Sequence, residues 1–233
     1  MSLLVKRTNR SNALHVGIDV FDAFGTIFDV HSATIRYPDV FDDRADQLSS
    51  LWRAKQLEYT WVLNSLGRYE PFDLLTARAL DFALETLGLG AAHSVRDDLL
   101  QAYTRLAIFP DVLPALERLK AADHKVVIFS NAPLRMLEAS LASSNIGHMI
   151  DEVISVEQAL VFKPHRRAYA LLNRWRGDSK ELVFYSSNRW DIAGASSVGL
   201  RTIWINRRGS PDEYVDLAPT SIAETMIQAI SIR

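Results

Sequence analysis

Asp22 closes an apolar run in the stretch FDAFGTIFD (21–29), with Gly25 and Thr26 just beyond it. A carboxylate at the end of a buried strand can act as a nucleophile or help to hold a metal ion. Metal-assisted phosphate chemistry would be served by a second carboxylate two residues on, and that position holds Phe24. Three more polar clusters accompany Asp22: Ser130 and Asn131 after KVVIF, Lys163 before Pro164, and Ser186, Ser187, Asn188 and Asp191 after ELVFY. Singly, each has a structural explanation as a turn, a helix cap or a solvated lysine. Their convergence at the ends of apolar runs is the functional signal.

To meet in one pocket, these clusters must sit on elements that share an edge. Five short runs rich in branched and aromatic residues read as buried strands: HVGIDVF (15–21), KVVIFS (125–130), DEVIS (151–155), ELVFYS (181–186) and RTIWIN (201–206). Helical patterns lie between them, as with Val112, Leu113, Leu116 and Leu119 in PDVLPALERLK, which implies a mostly parallel sheet covered on both faces. In such a sheet all the clusters face the carboxyl edge, where ligands bind. From about Val30 to Leu106 no strand pattern is found. Leu48, Leu51, Trp52, Tyr59, Val62 and Leu66 keep close to helical spacing, and PFDLLTARALDFALETLGLG reads as a second helix ending in glycines. The expectation is an α/β protein with a Rossmann-like core of residues 1–29 and 107–233 and an inserted all-helical cap of residues 30–106.

Composition narrows the classes. The 233 residues are 48% hydrophobic and 23% charged, ordinary for a globular protein with one large domain or a core plus one insertion. A formal charge of −2 argues against nucleic acid or an anionic membrane as partner. The absence of cysteine excludes disulfides, thiolate metal sites and cysteine nucleophiles. MSLLVKRTNRSNALHVGIDVF lacks a long apolar segment with a cleavage site, and no run approaches the about 20 apolar residues of a membrane span, so a cytoplasmic location is expected. GLGAAH (88–93) lacks the third glycine of a dinucleotide fingerprint, and there is no phosphate-binding loop or nucleophile-elbow motif.

The clusters DAFGT (22–26), SN (130–131), KP (163–164) and SSNRWD (186–191), in that order, resemble the motifs of the haloacid dehalogenase superfamily over nearly the whole chain. Many members are magnesium phosphatases. Their pattern has an aspartate where Phe24 stands and another where Ser187 stands, so two carboxylates that Mg²⁺ and phosphate chemistry need are missing. Displacement of halide from carbon needs neither, because a departing halide takes no proton. It needs donors or positive charge where the leaving anion forms.

FDAFGTIFDVHS (21–32), LWRAKQLEYTW (51–61) and SSNRWD are similar to motifs of the L-2-haloacid dehalogenases. That resemblance implies hydrolysis of short-chain L-2-haloacids to D-2-hydroxyacids and halide, without metal or cofactor, by a homodimer. It implies Asp22 as nucleophile, supported by Thr26, and Arg53 as holder of the leaving halide, helped by Asn131 and the Trp190 ring. Ser130 and backbone N–H groups at Ala23 and Phe24 would bind the substrate carboxylate. Lys163 would neutralise the charge around Asp22, and Asp191 would activate or position water. Ser186, Asn188 and Tyr169 would orient Lys163, Asp191 and the substrate.

Other readings stand beside these. Arg53 could be a surface residue paired with Glu58, Tyr169 a core residue, and Trp190 packing alone. Trp61 and Phe72 fit a cap core, with Phe72 a lesser candidate for the pocket wall. His31 and His165 read as supporting or surface residues. The family often has tyrosine where Phe24 stands, and some relatives have a longer polar residue where Ala54 follows the arginine. A phosphatase on the same fold is the main alternative function. A non-catalytic scaffold would need none of Asp22, Arg53, Lys163 and Asp191.

Overall fold

The computed structural model describes residues 17–89, 94–175 and 181–233. His15 and Val16 of the first predicted strand, the chain before them and most of GLGAAH lie outside the described residues. Strand β1 (Ile18–Phe21) is followed by helices α1 (Pro38–Phe41), α2 (Ala45–Ser65), α3 (Phe72–Thr86), α4 (Arg96–Ala102) and α5 (Val112–Ala121). Next come β2 (Lys125–Ser130), α6 (Leu134–Ser144), β3 (Glu152–Ser155), α7 (Arg166–Tyr169), β4 (Leu182–Ser186) and α8 (Arg189–Ser197). The chain closes with β5 (Arg201–Ile205), β6 (Ser221–Ala223) and α9 (Met226–Ser231).

The six strands form one parallel sheet in the order β3-β2-β1-β4-β5-β6. All residues of β1 and β4 are buried, as expected of strands covered on both faces. The chain steps one way from β1 to β2 and the other way from β4 to β5. Right-handed crossovers therefore put α5 and α8 on opposite faces. The reversal beside β1 opens a crevice at its carboxyl end, and Asp22 is the first residue there. At the other end of the strand, the buried Asp19 accepts from Tyr185 Oη at 2.7 Å and lies 2.7 Å from His124 Nδ1. The sixth strand, β6, was not expected. It has three residues, lies at the sheet edge and leaves Ile222 half exposed, so no apolar run announces it.

The helices between β1 and α5 leave and rejoin the core at one place. Asp29 N donates to Ala107 O at 2.8 Å and Phe109 N to Ile27 O at 3.1 Å, and Phe28 bridges Ile108 in antiparallel fashion. Within the insertion α2 packs against α3. The buried residues of α2 are Leu48, Ser49, Trp52, Gln56, Thr60 and Leu63, whereas Val62 and Leu66 face outward. Fully burying a Trp- or Leu-sized side chain is worth about 1.5–3 kcal/mol, so packing rather than helix propensity decides which face turns in. Trp61, expected in the insertion's core, is 38% exposed and meets the Trp190 ring edge-on at 5.8 Å. The apolar spacing could not distinguish these two faces, because polar Gln56 and Thr60 occupy inward positions.

Gly194 lets α8 approach α7 closely: a Cβ there would run into the Tyr169 hydroxyl and lie 2.6 Å from Pro164 Cβ. Gly194→Ala should lower stability by about 1–3 kcal/mol through overpacking. An unchanged urea midpoint would show that α7 can move away at no cost.

Candidate active site

The segment after β1 turns sharply. Ala23 O accepts from Ile27 N at 2.8 Å and from Phe28 N at 3.0 Å, and Gly25 sits at φ +88°, where a side chain is strained. The turn brings the Thr26 hydroxyl back to Asp22 Oδ2 at 2.8 Å, while Thr26 Oγ1 accepts from Ser187 N at 2.8 Å. Asn188, after β4, donates to the same Oδ2 at 2.8 Å and to Phe24 O at 3.1 Å. Asn188 N in turn donates to the buried Ser186 Oγ at 3.1 Å. Neighbouring strand ends therefore fix the Asp22 carboxylate from two sides.

Lys163 is fully buried, and its ammonium has three acceptors: Asp22 Oδ1 at 2.8 Å, Asp191 Oδ2 at 2.7 Å and Phe129 O at 3.1 Å. Burial disfavours its charge, but the carboxylates of Asp191 and Asp22 outweigh that and hold its pKa above the ordinary lysine value. Lys163 N donates to Asn131 Oδ1 at 2.8 Å. Asp191 is also fully buried, and its Oδ1 accepts from the Tyr169 hydroxyl at 2.7 Å. Burial raises the Asp191 carboxyl, Lys163 pulls it down and the charge of Asp22 raises it again, which together leave it pushed up to about 6. Burial, with Asp191 next in effect, keeps the Tyr169 phenol far above its usual range, so it acts as a donor.

From the insertion, α2 supplies Arg53, whose Nη2 donates to Phe24 O at 3.1 Å and Nη1 to Gln56 Oε1 at 3.1 Å. Glu58 is paired with Lys55 at 2.8 Å instead. Asp22, Phe24, Arg53, Ser130, Asn131, Lys163 and Trp190 surround one cavity of about 10 Å³, with Leu57 and Phe72. That is room for about one water. A second cavity of about 330 Å³ shares Arg53, Leu57 and Trp190 with it. Thr26, Tyr169, Ser186, Asn188 and Asp191 lie behind the small cavity, holding the groups that face it. Ala23 is buried in the turn. Ser130 Oγ accepts from Ala132 N at 3.2 Å.

His31 Nδ1 lies 2.7 Å from Ser49 Oγ, and His165 caps α7. Sequence reasoning passed over Gln56, Tyr103 and Asn64. Gln56 was legible, three residues after Arg53 on one helix face. The Asn64 amide makes paired bonds with the backbone of Phe162 at 2.8 and 2.9 Å, tying α2 to the lysine segment, and only the folded chain reveals this.

The positions that a magnesium phosphatase would use are occupied differently. The Phe24 carbonyl, which would be a backbone ligand, accepts from Arg53 and Asn188. Ser187, which stands where a metal-binding carboxylate would be, accepts at Oγ from Arg207 at 2.6 Å, and that guanidinium is also paired with Asp111 at 3.0 Å. Among the described residues no group of three His, Asp or Glu side chains is arranged to hold a metal, and no helix is long and apolar enough to cross a membrane.

A family model of haloacid dehalogenase-like hydrolases matches residues 20–199. The chain is 41% identical to (S)-2-haloacid dehalogenase 4A of Burkholderia cepacia, across 86% of this chain and 87% of the relative. It is 42% identical to (S)-2-haloacid dehalogenase 1 of Pseudomonas sp. (strain CBS-3), across 84% and 86%. The solved structure of L-2-haloacid dehalogenase from Xanthobacter autotrophicus with chloropropionic acid covalently bound superposes with a TM-score of 0.79 at 33% identity, covering 91% of this chain and 96% of that one. The chain therefore belongs to the haloacid dehalogenase-like hydrolases and, within them, to the (S)-2-haloacid dehalogenase family.

Two expectations follow from the buried charges. In Asp22→Asn the like charge beside Asp191 is gone, so the Asp191 carboxyl should titrate lower than in the unaltered protein, as read by carbon-13 NMR of labelled aspartate. An unmoved titration would mean that the two carboxylates do not interact. Lys163→Met leaves both carboxylates buried without an ammonium and should cost about 3–5 kcal/mol at pH 7. The Asp191 carboxyl, raised by burial, would lose the charge that pulls it down and lie still further above its unfolded value, so stability should be partly regained as pH falls towards 5. Urea unfolding at the two pH values measures this, and equal losses at both would refute it.

Proposed function

We propose that this protein hydrolyses short-chain L-2-haloacids to D-2-hydroxyacids and halide through an ester on Asp22, without a metal. The observation that carries the reading is that Asp22, held by three donors, and the Arg53 guanidinium line one small cavity. Asp22 attacks C2, the carbon–halogen bond breaks, and the halide leaves with the electron pair towards Arg53, Asn131 and the Trp190 ring. Ser130 and backbone N–H groups at Ala23 and Phe24 hold the substrate carboxylate. In so confined a cavity, with room for about one water, each of these electrostatic contacts is stronger than in bulk solvent.

Esterification removes the charge of Asp22. Asp191 then loses the neighbour that raised its pKa and keeps Lys163 to itself, so it is ionised when a base is needed. Asp191 takes a proton from water as the oxygen adds to the Asp22 ester carbonyl. The acyl–oxygen bond breaks, and the second proton of the added water passes to the departing C2 oxygen. The hydroxyacid leaves with its C2–O bond intact, and the proton held by Asp191 passes to solvent. Only the first displacement touches the chiral carbon, so the product is inverted.

In this reading residues 30–106 act as a cap over a core of residues 1–29 and 107–233. The hydrogen-bonded clasp between residues 27–29 and 107–109 supports that boundary. The cap must shift to admit a haloacid into the cavity. Family resemblance adds a homodimer.

EDTA-treated protein should release chloride from L-2-chloropropionate but not from the D enantiomer, and Asp22→Ala should abolish release. Mg²⁺-dependent cleavage of a phosphate ester, with no chloride from either enantiomer, would overturn the reading in favour of a phosphatase.

A further inference from the structure

Arg53 is held by a buried polar network whose donors and acceptors can be assigned completely. Gln56 is fully buried on the inward face of α2, one turn after Arg53. Its Nε2 donates to Thr76 Oγ1 at 2.6 Å, and the Thr76 hydroxyl donates to Phe72 O at 2.8 Å. Because that hydroxyl proton is committed, Thr76 Oγ1 can only accept, which fixes the amide nitrogen of Gln56 on that side. Gln56 Oε1 therefore points the other way. It accepts from Arg53 Nη1 at 3.1 Å and from the Tyr103 hydroxyl at 2.9 Å. Both lone pairs of Oε1 are used.

Tyr103 is buried as well, its ring stacked on Phe24 at 5.5 Å and tilted against Trp52 at 4.9 Å. Burial raises its pKa, so the hydroxyl stays protonated and remains a donor. The second anchor of Arg53 is the carbonyl of Phe24. Both acceptors that hold the guanidinium are uncharged. Among the described residues Arg53 takes part in no ion pair, and Glu58, the carboxylate nearest to it in sequence on its own helix, is occupied by Lys55.

We propose that Gln56 and Tyr103 are positioning residues that aim Arg53 at the reaction cavity through neutral contacts alone, leaving its full charge for the departing halide. A carboxylate in place of the Gln56 amide would hold the same guanidinium but neutralise it. Interaction between the guanidinium and the leaving anion scales with the charge left available, and it is strongest in a dry cavity. This inference rests on the dehalogenase reading and on Arg53 as the halide-facing group. The competing role for Gln56 is purely structural, a staple of α2 to Thr76 on α3.

The two roles separate by leaving group. Chloride is a stronger base than bromide and needs more stabilisation as it leaves. In Gln56→Glu, kcat/KM for L-2-chloropropionate should fall about ten- to hundred-fold, because the leaving anion then meets a guanidinium whose charge is partly neutralised. The fall for L-2-bromopropionate should be clearly smaller, so the bromide-to-chloride ratio rises, and product inhibition by chloride should weaken. Tyr103→Phe, which keeps the ring and removes one donor to Oε1, should shift the ratio in the same direction by less. It serves as the readout if Gln56→Glu does not fold. Equal losses with both substrates in the folded variants, or no loss, would leave Gln56 and Tyr103 as structural staples and overturn the proposal. A wild-type protein that releases no halide would instead overturn the dehalogenase reading, and this proposal with it.

Discussion

One ammonium between two buried carboxylates organises this protein. Lys163 has three protons and three acceptors, and neither it nor Asp191 has measurable exposure. Taking such charges out of water costs several kcal/mol each, and their attraction repays that only when the geometry is good and the remaining lone pairs are satisfied. The triad still carries one excess negative charge. Thr26 and Asn188 donate to Asp22, and Tyr169 donates to Asp191, which spreads it. These groups come from the ends of β1 and β4 and from the segment that follows β3. They can converge only if β1 is central and every strand is parallel, as the sheet is.

The same arrangement explains residue 24. Its ring packs with Phe28 and Tyr103, and its carbonyl accepts from Arg53 of the helical insertion and Asn188 of the core. The carbonyl therefore joins the two parts of the chain at the point where the reaction is proposed to occur. Arg207, itself paired with Asp111 at 3.0 Å, donates to Ser187, where the phosphatase pattern has a carboxylate. A halide leaves without a proton, so the carboxylic acid that a phosphate ester would require at position 24 has no task here.

Much of the fold was legible because buried parallel strands are short apolar runs, and five of the six announced themselves in that way. The sixth, β6, is an edge strand of three residues with nothing apolar enough to mark it. Helical spacing located α2 but not its orientation. Val62 and Leu66 suggested an inward face, whereas Gln56 and Thr60 are inside and Trp61 reaches out to Trp190. Polar residues can take core positions when a neighbouring helix supplies their partners, and that depends on which helix lies alongside. Tyr103, distant in sequence, carries no local signal for its place beside Phe24 and Gln56.

The sequence by itself determined the order of chemical groups along the strands and the loss of two carboxylates at 24 and 187. It thereby determined the class of reaction, since residue type sets what a group can donate, accept or attack. Tertiary structure alone decided the electrostatics: which carboxylate shares Lys163 with which, that Asp191 is pushed up to about 6, and that the oxygens of Gln56 and Phe24 that hold Arg53 are neutral. Charge interactions depend on distance and burial, and neither quantity exists until residues far apart in the chain are brought together.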